Sequence, residues 1–195
     1  MGIATYITLE MLGSVCLQYV PSLQGQDQLV IIVLRLLECL GFGFLIYHFR
    51  LVESLGLHKP NAQALRIFLL LAIICTSLAG LLYLIYPQWF QYVVVPNWLH
   101  GVVGLFLMVV LAPVTEELIF RGLLYRMLRE QWGVAVSIIV SAVFFSLVHH
   151  GMIVSPQLAG GLIFAFAYEW SRSLWVSIGL HMGANAAVYL ISLLV

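Results

Sequence analysis

Long apolar runs separated by short polar turns make up most of this chain. A helix needs roughly 20 apolar residues to cross a bilayer, and on that criterion the pattern predicts about seven spanning helices. Their ranges are 3–20, 28–48, 65–86, 103–126, 134–150, 157–170 and 174–194. The pattern therefore predicts an all-α, polytopic transmembrane helix bundle that forms one integral membrane domain over residues 1–195.

The composition excludes a soluble globular protein. The chain is 63% hydrophobic and 8% charged, whereas soluble domains contain about 25% charged residues. Its formal net charge is zero, so nothing indicates a nucleic-acid partner. Cys16, Cys39 and Cys75 all lie in apolar runs. Because their number is odd, we interpret them as packing residues and not as a disulfide framework.

The basic residues in the loops and at the ends of the predicted spans lie on one side of the membrane when the spans alternate in direction. They are Arg50, Lys59, Arg66, Arg126, Arg129 and Arg172. The positive-inside rule then predicts a cytoplasmic N-terminus in a multi-pass protein. Residues 1–20 lack the basic start and the cleavage site of a signal peptide, so we interpret them as a retained span. An interfacial group is predicted at Trp89, Phe90, Tyr92, Trp98 and His100.

Two adjacent acids, Glu116 and Glu117, interrupt the fourth predicted span, and Arg121 follows one turn later. Ionised side chains are costly inside a membrane and are retained where they are paired or functional. Glu117 and Arg121 have the i, i+4 spacing of a helical ion pair, whereas Glu116 points about 100° away from Glu117. Pro113, just upstream, loosens the backbone hydrogen bonding because it has no N–H. We interpret Glu116 as the acid that faces a cavity; the alternative is that both acids only join helices.

Two further polar pairs lie in later spans. Phe145 and His149 share one helix face, and the neighbouring His150 points elsewhere and is interpreted as an interfacial residue. His181 and Asn185 share a face of the last span. A hydrogen bond across a helix interface is the alternative role for this second pair.

The depths of these residues in the membrane are comparable. Counted at 1.5 Å per residue from the cytoplasmic ends, Glu116 is about 15 Å deep, His181 about 10–14 Å and His149 about 18–24 Å. A helix tilt of about 20° brings them level. We therefore expect a cavity between the C-terminal helices in which a carboxylate acts as general base on water. Histidine can shuttle the proton, and asparagine with a second imidazole can stabilise an oxyanion, so the set predicts amide hydrolysis.

These positions resemble the CPBP intramembrane proteases, a family that includes CAAX-type prenyl proteases and bacteriocin-processing (Abi) or self-immunity proteins. The family's motifs are E-E-x-x-x-R, F-x-x-x-H and H-x-x-x-N, in this order on separate helices. Residues 98–195 carry all three, as Glu116-Glu117-x-x-x-Arg121, Phe145-x-x-x-His149 and His181-x-x-x-Asn185. The resemblance implies that Glu116 is the catalytic glutamate, that His149 helps to activate water, and that His181 and Asn185 form the oxyanion hole. Glu117, Arg121 and Phe145 would then support them.

The resemblance implies a glutamic intramembrane endopeptidase in the cell membrane of a prokaryote. Its partners would be the lipid bilayer and a membrane-anchored protein or peptide, cut near its C-terminus to remove a sorting or CAAX-like signal. No cofactor or metal is expected, although zinc held by the two histidines and the glutamate is an alternative. A non-catalytic scaffold or bacteriocin immunity protein on the same fold is a further alternative.

Other charged residues carry less information about function. Arg35 and Glu38, at i and i+3 in the second span, are predicted to pair with one another. Glu10, Glu169 and Arg172 are candidates for a substrate entrance, with interfacial solvation as the commoner explanation.

Overall fold

The computed structural model of the protein describes residues 27–86, Val95, 101–150 and 155–193; for 27–31 and 150 it describes the backbone alone. Several predictions fall outside these residues: the span 3–20, Glu10, Cys16, the interfacial group at 89–100 and the side chain of His150. The described chain is helical, without a strand. Its α-helices are α1 (Asp27–His48), α2 (Ala62–Ile85), α3 (Val102–Phe106), α4 (Ala112–Glu117), α5 (Arg126–His150), α6 (Pro156–Ser171) and α7 (Leu174–Ser192).

Three described segments are long and apolar enough to cross a membrane. They are Ala62–Ile85, Val102–His149 and Leu174–Ser192. The first and last correspond to the predicted spans 65–86 and 174–194. The prediction of an all-α membrane protein is confirmed, but the number of seven spans is not, because α1 and the short α6 do not belong to this set.

The segment Val102–His149 contains two predicted spans, 103–126 and 134–150. It has 48 residues, which at about 1.5 Å per residue is more than twice the roughly 30 Å thickness of the hydrocarbon core. Gly133 has φ 76° and ψ −178°, which breaks the helix inside α5. The two predicted spans therefore lie on either side of Gly133, whose backbone angles are not helical and which interrupts the helix.

Two stretches of π-helix flank α4. The first, π1, is Leu107–Leu111, and the second, π2, is Leu118–Tyr125. Pro113 is the local cause of the first, because it has no N–H to donate in the i to i−4 ladder, and the ladder shifts so that the Ala112 N–H bonds to the Leu107 carbonyl. π-helical segments are rare in proteins, and those that occur often lie at functional sites. Glu116 and Glu117 thus lie on a single α-helical stretch between two wider turns.

The helices pack around α4 and π2. α5 packs on π2 and α6, α7 packs on α2, π1, α4 and α6, and α1 lies against α4 and π1. One point of close approach is Gly161, where an added Cβ would lie 3.0 Å from the Ala142 Cα. Because Gly161 has no side chain, α6 can lie directly on α5, the helix that carries Phe145 and His149.

Candidate active site

Glu116 lies at the centre of a buried polar cluster, with 5% of its surface exposed. Its Oε2 atom is 3.3 Å from His149 Nε2 and 3.8 Å from His181 Nε2. The three side chains come from α4, α5 and α7. The structure therefore brings together three of the four residues for which the sequence predicts catalytic roles.

Glu117 is fully buried and holds three other groups in place. Its Oε1 accepts a hydrogen bond from Arg121 Nη1 at 2.8 Å and lies 2.9 Å from His181 Nδ1. Its Oε2 accepts from the Ser177 hydroxyl. The predicted pair of Glu117 and Arg121 is present, and the same carboxylate also fixes the ring of His181.

Arg121 is fully buried and joins α6 to the cluster. Its Nη2 donates to the Gly161 carbonyl at 2.9 Å, and its guanidinium lies 4.8 Å from the ring centroid of Phe145. The rings of Phe145 and His149 are 4.4 Å apart. Phe145 thus separates the buried cation from the histidine that faces Glu116, and this apolar contact gives the aromatic position of the second motif a physical role.

The tautomers of both histidines follow from their partners. His149 Nδ1 lies 2.8 Å from the Phe145 carbonyl, and a carbonyl oxygen only accepts hydrogen bonds, so this nitrogen carries a proton. His181 Nδ1 faces the Glu117 carboxylate, which already accepts from Arg121 and Ser177, so it donates as well. Both Nε2 atoms are consequently left to face Glu116.

Asn185 makes a different contact. Its Nδ2 donates to the Met108 carbonyl of π1 at 2.8 Å. That carbonyl is available because its α-helical partner, Ala112, bonds to Leu107, and its partner in a π-helix would be Pro113, which has no N–H. One N–H of the Asn185 side chain therefore joins α7 to π1. The same side-chain amide has a second N–H donor.

Arg35 and Glu38, which the sequence indicates as a structural pair, and Glu169 and Arg172, which are candidates for a substrate entrance, all form ion pairs. Arg35 Nη1 lies 2.8 Å from Glu38 Oε2, as predicted. Glu169 accepts a bidentate pair of bonds from Arg129 at 2.8 and 2.9 Å and a bond from Tyr125, and Arg172 lies 2.7 Å from it. Glu169 therefore joins α6 to π2 and α5. Cys39 and Cys75 are free thiols.

Three contributors to the cluster are not among the predicted residues. Ser177 lies one turn before His181, so the i, i+4 spacing on α7 was a usable signal. Phe164 stacks on His181 with ring centroids 4.6 Å apart, and the Gly161 carbonyl binds Arg121. Neither has a signal in the sequence, because an aromatic residue and a glycine in an apolar helix have no distinctive pattern.

Within the parts of the chain that the structure describes, no group of three or more His, Cys, Asp and Glu side chains is arranged to hold a metal ion. Two histidine nitrogens and one carboxylate oxygen are nevertheless donors of the type that zinc uses. The expectation of a metal-free site stays a prediction.

Known proteins share the segment that carries this cluster. Residues 96–187 match the family of Rce1-like type II CAAX prenyl endopeptidases. The chain is 31% identical over 85 residues to the putative membrane peptidase YdiL of Bacillus subtilis, covering 43% of this chain and 35% of the relative. It is 33% identical over 97 residues to the membrane-embedded CAAX protease MroQ of Staphylococcus aureus, covering 46% and 39%. No solved structure matches.

The matched segment contains all three motifs, from Glu116 to Asn185. The matches span well under half of the length of these relatives. Residues 96–187 of this integral membrane protein are thus similar to the Rce1-like CAAX endopeptidases, in agreement with the resemblance that the three motifs carry.

Proposed function

We propose that the protein is an intramembrane endopeptidase in which Glu116 activates the attacking water. One observation carries the proposal: His149 Nε2 and His181 Nε2 face the same oxygen of a buried glutamate, at 3.3 and 3.8 Å. At each of these separations, a water molecule about 2.8 Å from both atoms, an ordinary hydrogen-bond distance, can bridge the glutamate oxygen and an imidazole nitrogen. The cluster is therefore well suited to hold a single water molecule.

In the proposed first step the water transfers a proton to Glu116 as its oxygen attacks the carbonyl carbon of the scissile bond. His149 orients that water through Nε2, since its Nδ1 proton is held by the Phe145 carbonyl. General-base catalysis of this kind contributes about 10²–10⁴ to the rate. The surrounding apolar residues exclude other water and strengthen these interactions.

The attack places negative charge on the carbonyl oxygen, which needs hydrogen-bond donors. His181 Nε2 is one proposed donor, and the Glu117 carboxylate 2.9 Å from Nδ1 holds its ring in position. The second N–H of the Asn185 amide is the other donor. When the C–N bond breaks, the proton on Glu116 passes to the leaving nitrogen, either directly or through His149, and the glutamate is regenerated.

The proposed substrate is a membrane-anchored protein or peptide, cut near its C-terminus. Two findings support this class: the cluster lies on helices of membrane-spanning character, and the matched family is that of CAAX prenyl endopeptidases. The proposal further places the protein in a prokaryotic cell membrane as a multi-pass protein with a cytoplasmic N-terminus, in accordance with the charge distribution of the loops.

The direct test is Glu116→Gln in purified protein in proteoliposomes, assayed on membrane-anchored peptides that include prenylated CAAX peptides. We expect cleavage to fall by about 10²–10⁴. Glu130→Gln is the matched control, because Glu130 is exposed on α5 and makes the same change of charge. Undiminished cleavage by Glu116→Gln rules out the glutamic mechanism. A wild-type protein that cleaves no peptide in the panel favours the scaffold or immunity alternative.

A further inference from the structure

Phe164 of α6 contacts the catalytic cluster twice, once through its ring and once through its backbone. The ring stacks on the imidazole of His181, with centroids 4.6 Å apart and an angle of 20° between the planes. The Ser177 hydroxyl that donates to Glu117 also lies 3.0 Å from the Phe164 carbonyl, so the two acceptors share its one O–H. Because Phe164 is only 5% exposed, both contacts are made inside the helix bundle.

These contacts close a cycle of four residues. Glu117 Oε1 lies 2.9 Å from His181 Nδ1, and Glu117 Oε2 accepts from Ser177. Ser177 contacts the Phe164 carbonyl, and the Phe164 ring returns to His181. The four residues come from α4, α6 and α7. The imidazole of His181 is therefore held from two directions by groups that are linked to one another.

The hydrogen bond and the stacked ring restrict different motions of the imidazole. The contact with Glu117 sets the position of Nδ1, but a single contact leaves the plane of the imidazole free to tilt. The stacked Phe164 ring sets that plane, and Phe145 meets the same imidazole edge-on at 5.6 Å, a favourable arrangement for aromatic rings. Together these contacts fix the direction of His181 Nε2, which lies 3.8 Å from Glu116 Oε2.

Gly160 leaves room for the ring of Phe164. A Cβ added at Gly160 would lie 3.3 Å from Phe164 Cε2. The same ring has His181 at 4.6 Å and Phe145 at 6.5 Å between centroids. Because protein interiors are densely packed, a ring with neighbours on three helices keeps its orientation.

We propose that Phe164 is a positioning residue, which holds the imidazole plane of His181 so that Nε2 is directed at the carbonyl oxygen of the scissile bond. The proposal rests on the proposed endopeptidase function, in which His181 is one oxyanion donor. Such a donor stabilises the developing charge only from a fixed direction, and its supporting groups must hold it to within about 0.5 Å and 10–20°. Helix α6, which carries none of the three motifs, would thus take part in the reaction through His181.

The experiment replaces Phe164 with leucine, which removes the ring but keeps an apolar side chain. The purified variant is assayed in proteoliposomes on a prenylated CAAX peptide. The kcat is expected to fall about 10- to 100-fold, because a misplacement of about 1 Å can cost about 10²-fold. KM is expected to stay unchanged, since the oxyanion contact is made only in the transition state.

Phe166→Leu is the matched control on the same helix. Phe166 is 47% exposed, and its ring contact is with Trp170, so the same change of side chain should leave kcat at the wild-type value. Gly160→Ala is a second variant in case the leucine variant misfolds. Alanine is a better helix former than glycine, while the new Cβ presses on Phe164 Cε2. Because this displacement is smaller, kcat is expected to fall about two- to tenfold.

Two measurements separate positioning from general support of the fold. In the His181→Ala background, Phe164→Leu is expected to cause no further loss of kcat, because no imidazole is left to position. A further loss as large as that in the wild-type background overturns the proposal. NMR of the histidine side chains gives a second measurement that does not depend on cleavage. The His181 signals are expected to move in Phe164→Leu and to stay in place in Phe166→Leu, and signals that move in neither variant overturn the proposed stacking.

The outcomes also distinguish this proposal from the endopeptidase mechanism. If Glu116→Gln abolishes cleavage while Phe164→Leu and Gly160→Ala keep the wild-type kcat, the role of Phe164 alone is overturned. A rise in KM without a fall in kcat overturns it as well, because Phe164 would then act on substrate binding. A Glu116→Gln variant that cleaves as well as wild type overturns the endopeptidase mechanism, and the role of Phe164 in it.

Discussion

His181 Nδ1 lies 2.9 Å from Glu117 Oε1, so the second glutamate of the motif orients the histidine that faces the first. The sequence indicates simpler roles for the two glutamates, in which Glu117 only pairs with Arg121 and Glu116 faces the cavity. In the structure one carboxylate holds Arg121, Ser177 and His181 together. In the proposed mechanism, structural support and catalysis are therefore linked through Glu117, and a change there is expected to affect both.

The buried pair of Glu117 and Arg121 is expected to be essential for stability. Glu117→Gln or Arg121→Met leaves an unpaired charge at a site with 0% side-chain exposure, which costs about 3–5 kcal/mol. The double variant is expected to lose less than the sum of the single losses. Denaturant unfolding in detergent measures this. Glu53→Gln on the exposed loop after α1 is the control and is expected to stay within about 0.5 kcal/mol of wild type. Additive losses would contradict the assigned pairing.

Asn185→Asp tests the N–H donors of the Asn185 side chain, because aspartate has nearly the same shape but an ionised carboxylate in place of the amide. An ionised carboxylate donates no hydrogen bond, so the contact with the Met108 carbonyl is lost at a cost of about 1–3 kcal/mol. The kcat is expected to fall by about 10²–10³, as for the loss of one oxyanion donor, with a smaller change in KM.

The same substitution at Asn61 is the matched control. Asn61 Oδ1 caps α2 by accepting from the Ala64 N–H at 2.8 Å, and an aspartate accepts equally well. Asn61→Asp should therefore leave both stability and kcat near wild type. If Asn185→Asp lowers stability but keeps kcat, Asn185 only fastens α7 to π1 and is not an oxyanion donor.

Gly161→Ala tests the contact between α5 and α6. The new Cβ would lie 3.0 Å from the Ala142 Cα and 3.1 Å from its Cβ. Since both helices must move, we expect a loss of about 1–3 kcal/mol, together with a weaker bond from Arg121 to the Gly161 carbonyl. Gly80→Ala on α2, where nothing lies within 4 Å of the added atom, is expected to be neutral or stabilising by up to about 1 kcal/mol. Equal melting temperatures for the two variants would show that the contact is not tight.

Chelation tests the alternative that uses zinc. In the proposed mechanism Glu116 and the two histidines act without a metal, so dialysis against a strong chelator should leave kcat/KM unchanged. Metal content of the purified protein is measured in parallel. Loss of activity on chelation, with recovery when zinc is added back, would replace general-base catalysis by Glu116 with zinc ligation by the same three side chains.

Much of the site is predictable from local sequence because helical spacing is local. The i, i+4 rule was enough to pair Glu117 with Arg121 and to place Phe145 beside His149. Counting the rise per residue was enough to expect Glu116, His149 and His181 at comparable depth. The number of spans is less accessible: length and hydropathy separated the spans on either side of the break at Gly133, but α1 and the short α6 are not among the described helices that are long and apolar enough to cross a membrane.

The sequence by itself determined that this is an all-α membrane protein whose motifs resemble those of CAAX endopeptidases, with its acids and histidines on helix faces that repeat every three or four residues. Only the tertiary structure decided which atoms meet: that Glu117 orients His181 and that Asn185 binds the Met108 carbonyl. The physical reason is that helical periodicity fixes the direction of a side chain relative to its own helix. The partner across an interface depends on the packing of helices that are far apart in the chain.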